Sequence, residues 1–212
     1  MIEPLIKRNN LLGPKVVEAL KRRQFDAYYV ANKKNVAEKV LELIPQNDVV
    51  SWGGTTTVEQ LGIKKLLKDN GYSVIDRDSA KSLEEKLEKM RNSLNCDTFL
   101  MSSNAITEKG ELFNIDRVGN RVAALCFGPK SVIIIAGMNK IVPDMEAAYS
   151  KVRHYTSPIN AQRFCDSTPC SKTGECADCL SPQCCCAQMV ATRFCFPAGK
   201  IKIVLVNDEL GI

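Results

Sequence analysis

The sequence predicts an α/β fold with a largely parallel sheet. Three observations carry this. Helix-like and strand-like segments alternate along the 212 residues. Some strand segments are apolar throughout, "SVIIIAG" at 131–137 above all, as expected of strands buried on both faces. A strong strand, within "KIKIVLVNDELGI", ends the chain after a polar, cysteine-rich stretch. That stretch is therefore read as an excursion at about 165–195 from a single domain spanning 1–212, not as a separate terminal unit.

The elements follow in order. "GPKVVEALKRRQ" reads as a helix with Pro14 near its first turn, where a missing N–H costs nothing, and "DAYYVAN" as a short strand. Val36, Val40 and Leu43 share one helical face, with Ala37, Leu41 and Ile44 beside them. "DVVSW" is a strand running straight into Gly53-Gly54-Thr55-Thr56-Thr57. "VEQLGIKKLLKDNG" is an amphipathic helix closed by Gly71, and "YSVIDR" is a strand. Leu83, Leu87, Met90 and Leu94, at steps of four, three and four, mark a further helix. "DTFLMSS" is a mostly apolar strand. From residue 104 to 142 the chain reads as β-rich, with turns at Lys109-Gly110, Gly119-Asn120 and Gly128-Pro129. "VPDMEAAYSKVRHY" starts a helix, with Pro143 and acidic residues in its first turn.

Composition narrows the function classes. Apolar residues make up 45% and charged residues 25%, as in ordinary soluble globular proteins. Net charge is +5, but the basic residues are scattered and not interleaved with aromatics, so nucleic-acid binding is not expected. No stretch approaches a membrane span, and the N-terminal residues show no secretory h-region. A reducing cytoplasm is the expected compartment. There, clustered cysteines bind metal or do redox work more often than they form structural disulfides.

Three stretches are candidates for chemistry. In "SWGGTTTVEQLG" the glycines allow close backbone approach, while the helix start and the threonine hydroxyls suit a phosphate or carboxylate. The same residues also serve as a turn and a helix cap. The spacing fits neither a Walker loop nor a dinucleotide fingerprint. In "SNAITEKGELFNIDRVGNRVAA", Asn104, Glu108, Asn114, Asp116, Asn120 and Arg121 are polar groups between buried strands. Arg121 is suited to a bidentate anion contact, and turn formation accounts equally for the Asn and Asp residues. The third stretch holds eight of the ten cysteines between Cys165 and Cys195. Cys176-x-x-Cys179, with Cys170 before and Cys186 after, supplies four thiolates for an iron–sulfur cluster or tetrahedral zinc. A redox dithiol at Cys176 and Cys179 is an alternative, and Cys184 and Cys185 leave the ligand set open. The single histidine, His154, reads as a helix-surface residue.

These stretches resemble the LUD-domain family of lactate-utilisation (LutC/YkgG-like) proteins. "SWGGTTTVEQLGI" is similar to the family's Gly-Gly-Ser/Thr loop. "SNAITEKGELFNIDRVGNRVAA" is similar to its Ala-Ile-Thr-Glu…Gly-Asn-Arg-Val-Ala motif, and "GPKSVIIIAGMNKIVPDMEAA" to the segment that follows. "TPCSKTGECADCLSPQCCC" resembles a subgroup with Cys-x5-Cys-x2-Cys-x6-Cys, which places its cysteines at Cys170, Cys176, Cys179 and Cys186. The resemblance implies a three-layer α/β/α fold related to ribose-5-phosphate isomerase, glucosamine-6-phosphate deaminase and CoA transferases. It also implies a part in oxidising L-lactate to pyruvate alongside iron–sulfur or flavin partner proteins. A small anionic metabolite is expected at Gly53, Gly54, Thr55 and Thr56, with Asn104, Asn120, Arg121 and Lys140 as further binding residues.

Two other functions stay open. One is an isomerase- or transferase-like enzyme acting alone on a phosphorylated or CoA-linked substrate, with Glu108 or Asp116 as acid/base. The other is a zinc-binding or thiol-sensing module. A homo-oligomer is compatible with all three, and no acid/base pair in the sequence identifies a reaction.

Overall fold

The computed structural model describes residues 1–164 and 167–212. Cys165 lies outside the described residues. In chain order the elements are α1 (Glu3–Arg22), β1 (Asp26–Val30), α2 (Val36–Glu42), β2 (Val49–Trp52), α3 (Thr56–Gln60), α4 (Ile63–Asp69), β3 (Ser73–Ile75), α5 (Leu83–Asn92), β4 (Thr98–Met101), β5 (Ala105–Thr107), β6 (Leu112–Asp116), α6 (Asn120–Cys126), β7 (Ser131–Gly137), β8 (Ile141–Val142), α7 (Met145–Lys151), α8 (Ser157–Phe164), α9 (Pro169–Thr173), β9 (Gln188–Thr192) and β10 (Ile201–Val206).

Six strands form one sheet in the order β1-β10-β7-β4-β2-β3, and every pairing in it is parallel. Helices cover both faces. On one face Val16, Val17 and Leu20 of α1 and Leu125 of α6 pack with Val132 and Ile134 of β7. On the other, Val36 and Val40 of α2, Val58 of α3 and Ile63 and Leu67 of α4 pack with Ile133 and Ile135. The alternation along "SVIIIAG" thus feeds two cores from one strand, as a sheet buried on both faces requires.

Several local expectations are corrected. The first helix begins at Glu3 with Pro4 in its opening turn, so Pro14 is interior. A proline there forfeits one backbone bond, and the buried face of a 20-residue helix tolerates the loss. The helix expected over 58–71 is two helices, because Gly62 adopts φ +65° and breaks it. Residues 104–142 are less β-rich than expected and hold one hairpin, β5–β6: Gly119-Asn120 opens α6, and the chain then returns to the main sheet as β7.

A second sheet, in the order β8-β5-β6-β9, was not legible in the sequence. Its fourth strand comes from the tail of the cysteine-rich excursion, antiparallel to β6 from Leu112↔Thr192 to Asp116↔Gln188. Ala105, Phe113, Ile115 and Val142 of this sheet pack against Ala148 of α7 in a third apolar cluster. No described helix is long and apolar enough to cross a membrane.

Ile134 is fully buried on the central strand β7. Truncating it to alanine removes packing the sheet cannot recover, and should lower the unfolding free energy by about 2–5 kcal/mol in a denaturant titration.

Candidate functional site

Parallel strands deliver all their carboxyl ends to one edge. β4 leads on towards β7 on one side of it, and β2 leads to β3 on the other. Ligands of open α/β sheets settle in the crevice at such a reversal. A cavity of about 510 Å³ lies here. Its wall takes Gly54–Thr57 after β2, Arg77 after β3, Ser102–Asn104 after β4 and Lys140 after β7. Ile115 and Asp116 at the end of β6, and residues of α5 and α8, close it from outside.

Most of the sequence-derived binding residues converge on this cavity: Gly54, Thr55, Thr56, Asn104, Asn120, Arg121 and Lys140 all line it. Gly53 lies beneath it. A Cβ at Gly53 would sit 2.6 Å from Arg121 Cγ, so glycine is what lets the Arg121 side chain cross the loop. Arg121 Nη2 donates to the Ile115 carbonyl at 2.6 Å, which fixes the guanidinium. The neighbouring Gly54 lies under Arg77, with 3.7 Å between its Cβ position and Nη2.

The two acid/base candidates separate. Glu108 sits in the β5–β6 turn, where its N–H donates to the Val142 carbonyl, and it does not line the cavity. Asp116 does line it, but its carboxylate accepts the N–H groups of Arg121 at 3.0 Å and Val122 at 3.4 Å and pairs with Arg121 Nε at 3.5 Å. It caps α6 and holds Arg121. Asn104 also has a structural bond, accepting from the Ile115 N–H at 3.0 Å. The anion site expected at a long helix start is reduced as well, because α3 has five residues and little macrodipole.

Charge and unpaired hydroxyls take over that role. Among the described residues, six cationic side chains line the cavity (Arg77, Lys86, Arg117, Arg121, Lys140 and Arg163) against one acidic side chain, Asp116. Among the described residues, Thr55 Oγ1, Thr57 Oγ1 and Thr156 Oγ1 are buried there without a hydrogen-bond partner, while Arg77 Nε faces Asp78 Oδ1 at 3.6 Å. Buried polar atoms are normally paired, so these three hydroxyls are open hydrogen-bonding groups of the cavity. Lys140 is 4% exposed, and burial, helped by Lys151 and Arg121, pulls its ammonium from 10.5 down to about 7. Its Nζ donates to the Ile212 backbone oxygen at 2.7 Å. Burial also pulls the Arg77 guanidinium below its ordinary value, against the opposing pull of Asp78. Arg77 and Thr156 were missed in the sequence. Arg77 comes two residues after β3 ends at Ile75, and that position at a strand end was the available signal.

A second cavity, of about 110 Å³, is lined by Cys170, Cys176, Cys179 and Cys186, together with Cys184 and Cys185. Arg153 Nη2 donates to Cys176 Sγ at 3.4 Å and pairs with Asp178. Burial pushes the Cys186 thiol up to about 11. The nine described cysteines are all free thiols. Thiols are the donors a thiolate-held metal or cluster would need, and the four expected holders, Cys170, Cys176, Cys179 and Cys186, all line this one cavity. Among the described residues, however, no group of three or more His, Cys, Asp or Glu is arranged to hold a metal ion. Cys185 lines both cavities.

Two outcomes follow for the larger cavity. Gly53→Ala must displace Arg121, and should weaken carboxylate binding roughly tenfold by calorimetry with the circular dichroism unchanged. Lys140 is charged below about pH 7 and neutral above it. Pyruvate, ionised throughout, should bind several-fold more weakly at pH 8.5 than at pH 6, and Lys140→Met should flatten that dependence. Without ligand the sign reverses. The unfolded chain binds more protons between about 7 and 10.5, so this lysine makes stability rise with pH across that window.

Comparison with known proteins places this architecture. No curated protein matches the chain. A crystal structure of a DUF162 family protein from Deinococcus radiodurans is similar to it at TM-score 0.56 and 11% identity, over 93% of this chain and 98% of that one. Ribose 5-phosphate isomerase A from Neisseria gonorrhoeae gives TM-score 0.36 and 16% identity over 53% of this chain and 54% of that one, too low to carry an argument. The family model described as the LUD domain matches residues 13–206, which include every strand of both sheets, and the chain belongs to the LUD domain family.

Proposed function

We propose that this protein is an anion-binding redox unit, acting as an accessory or redox subunit in L-lactate utilisation. The observation that carries the reading is the shared wall: Cys185 lines both the cationic cavity and the six-cysteine cavity. An anion held by Arg77, Arg121 and Lys140 lies beside a thiol-lined site suited to a metal or cluster. Conversion of L-lactate to pyruvate releases two electrons and two protons. The carboxylate would sit among the guanidinium groups, and Lys140, its amine poised near neutral, is the cavity group suited to accept a proton. The hydrogen on C2 would leave as a hydride to a flavin on a partner protein, so that Lys140 takes the hydroxyl proton and the flavin takes the second hydrogen with both electrons, and the thiol site would relay those electrons onward one at a time. A thiolate-bound iron–sulfur cluster supplies one-electron transfer when present; zinc in its place would make the segment a structural clip.

Purification without air, followed by assay of iron, acid-labile sulfide, zinc and the visible spectrum, tests this directly. Iron and sulfide are expected near stoichiometric levels and should be lost in Cys176→Ser. Zinc alone would replace the redox reading with a structural one, and no metal of any kind would remove the thiol site from the function.

A further inference from the structure

The apolar stripe of α5 runs from exposed Leu83 through half-buried Leu87 to buried Met90, and among the described residues these three join no apolar cluster. Leu83, Leu87 and Met90 lie at steps of four and three on one helical face, the pattern that marks the side a helix buries in a core. Yet none of the three belongs to any of the three apolar clusters, and all three line the larger cavity. Leu83 is 74% exposed. Across the same space stand Ile115, Val118 and Phe164, the last 60% exposed. Only Leu94, the last residue of the stripe, packs against a core cluster.

Three of the six cations, Arg77, Arg121 and Lys140, group elsewhere, while Lys86 belongs to α5 and Arg117 and Arg163 adjoin Val118 and Phe164 in sequence. Arg77 and Arg121 flank the Gly53-Gly54 loop, and Gly211 brings Thr57 Oγ1 and Lys140 Nζ together, at 2.6 and 3.4 Å from its Cβ position. The cavity thus has a cationic end at the strand termini and an apolar wall on α5. Its volume of about 510 Å³ suits a cofactor-sized ligand, and a three-carbon acid or a lone phosphate would fill a small part of it.

We infer that the ligand of this cavity is an amphiphilic anion: a phosphate or carboxylate head held at Arg77, Arg121 and Lys140, joined to an apolar or planar body lying against Leu83, Leu87 and Met90. This rests on the anion-binding part of the reading above, not on lactate itself filling the cavity, and gives the chemical class of the ligand. The apolar wall contributes only if the bound molecule covers it, because burial of apolar area is what drives such a contact.

A graded series of phosphates, titrated calorimetrically into the full chain, tests the inference. Dissociation constants are expected to fall from inorganic phosphate through phenyl phosphate to 1-naphthyl phosphate, at least tenfold in all. Ribose 5-phosphate, whose body is polar, should stay near inorganic phosphate. Leu87→Asp should erase the naphthyl advantage. Leu87 is half-buried and outside the cores, and Leu83→Asp, at a more exposed position, provides a second variant. If 1-naphthyl phosphate binds no more tightly than inorganic phosphate, or keeps its advantage in both variants, the inference is overturned while the anion site stands. If no member of the series binds, the anion site falls with it.

Discussion

Parallel pairing is the constraint on which the rest of this structure depends. In an all-parallel sheet every strand ends on the same edge, so the loops after β2, β3, β4 and β7 have no choice but to meet. Each carries something charged or hydroxylated to that meeting: Thr55 and Thr57, Arg77, Ser102 and Ser103, Lys140. The sheet is fixed by apolar burial on both faces, with Ile133 and Ile134 pointing into opposite cores. The energy that orders the site is therefore spent far from it, and the site itself is left polar and incompletely paired.

That incompleteness has an energetic reading. Lys140 and Arg77 are drawn from water into a crowded cationic corner, and both lose proton affinity because of it. Asp116 offsets part of this, but its carboxylate is already engaged by two backbone N–H groups and Arg121. An arriving anion supplies what the fold withholds: opposite charge for the cations and acceptors for the threonine hydroxyls. Groups held in costly surroundings are the ones whose interactions would improve most on binding, which is how a preorganised site gains affinity without rearranging.

How much of this was legible in the sequence depends on the range of the interaction concerned. The strand "SVIIIAG", the Gly-Gly-Thr loop and the binding candidates Arg121 and Lys140 were readable because each is marked locally, by apolar runs, glycine pairs or a motif. Gly62 was not readable as a helix break, since glycine inside an apolar periodic stretch is also tolerated in continuous helices. Gly119-Asn120 looked like a hairpin turn and is a helix start, a choice made by Asp116 capping α6 from three residues upstream of that glycine. The second sheet was hidden for a simpler reason. Its strand β9 pairs with β6 more than seventy residues away, and nothing local in "QMVAT" states that partner.

The α5 stripe exposes a deeper limit. Periodicity shows which face of a helix avoids water, but not what covers that face. Leu83, Leu87 and Met90 would read the same whether they met a core or a ligand. The distinction appears only when the three core clusters are accounted for and this face belongs to none of them. The same accounting joins the two cavities. Thr156 turns its hydroxyl to the larger one, its neighbour Ser157 lines the smaller, and the two meet where a π-helical turn over Val152–Thr156 passes into α8. With Cys185 in both walls, a ligand in one cavity and a charge in the other would have this residue as a common neighbour. Any coupling across it is reciprocal: whatever a loaded thiol site does to anion affinity, the anion must do in equal measure to the affinity of the thiol site.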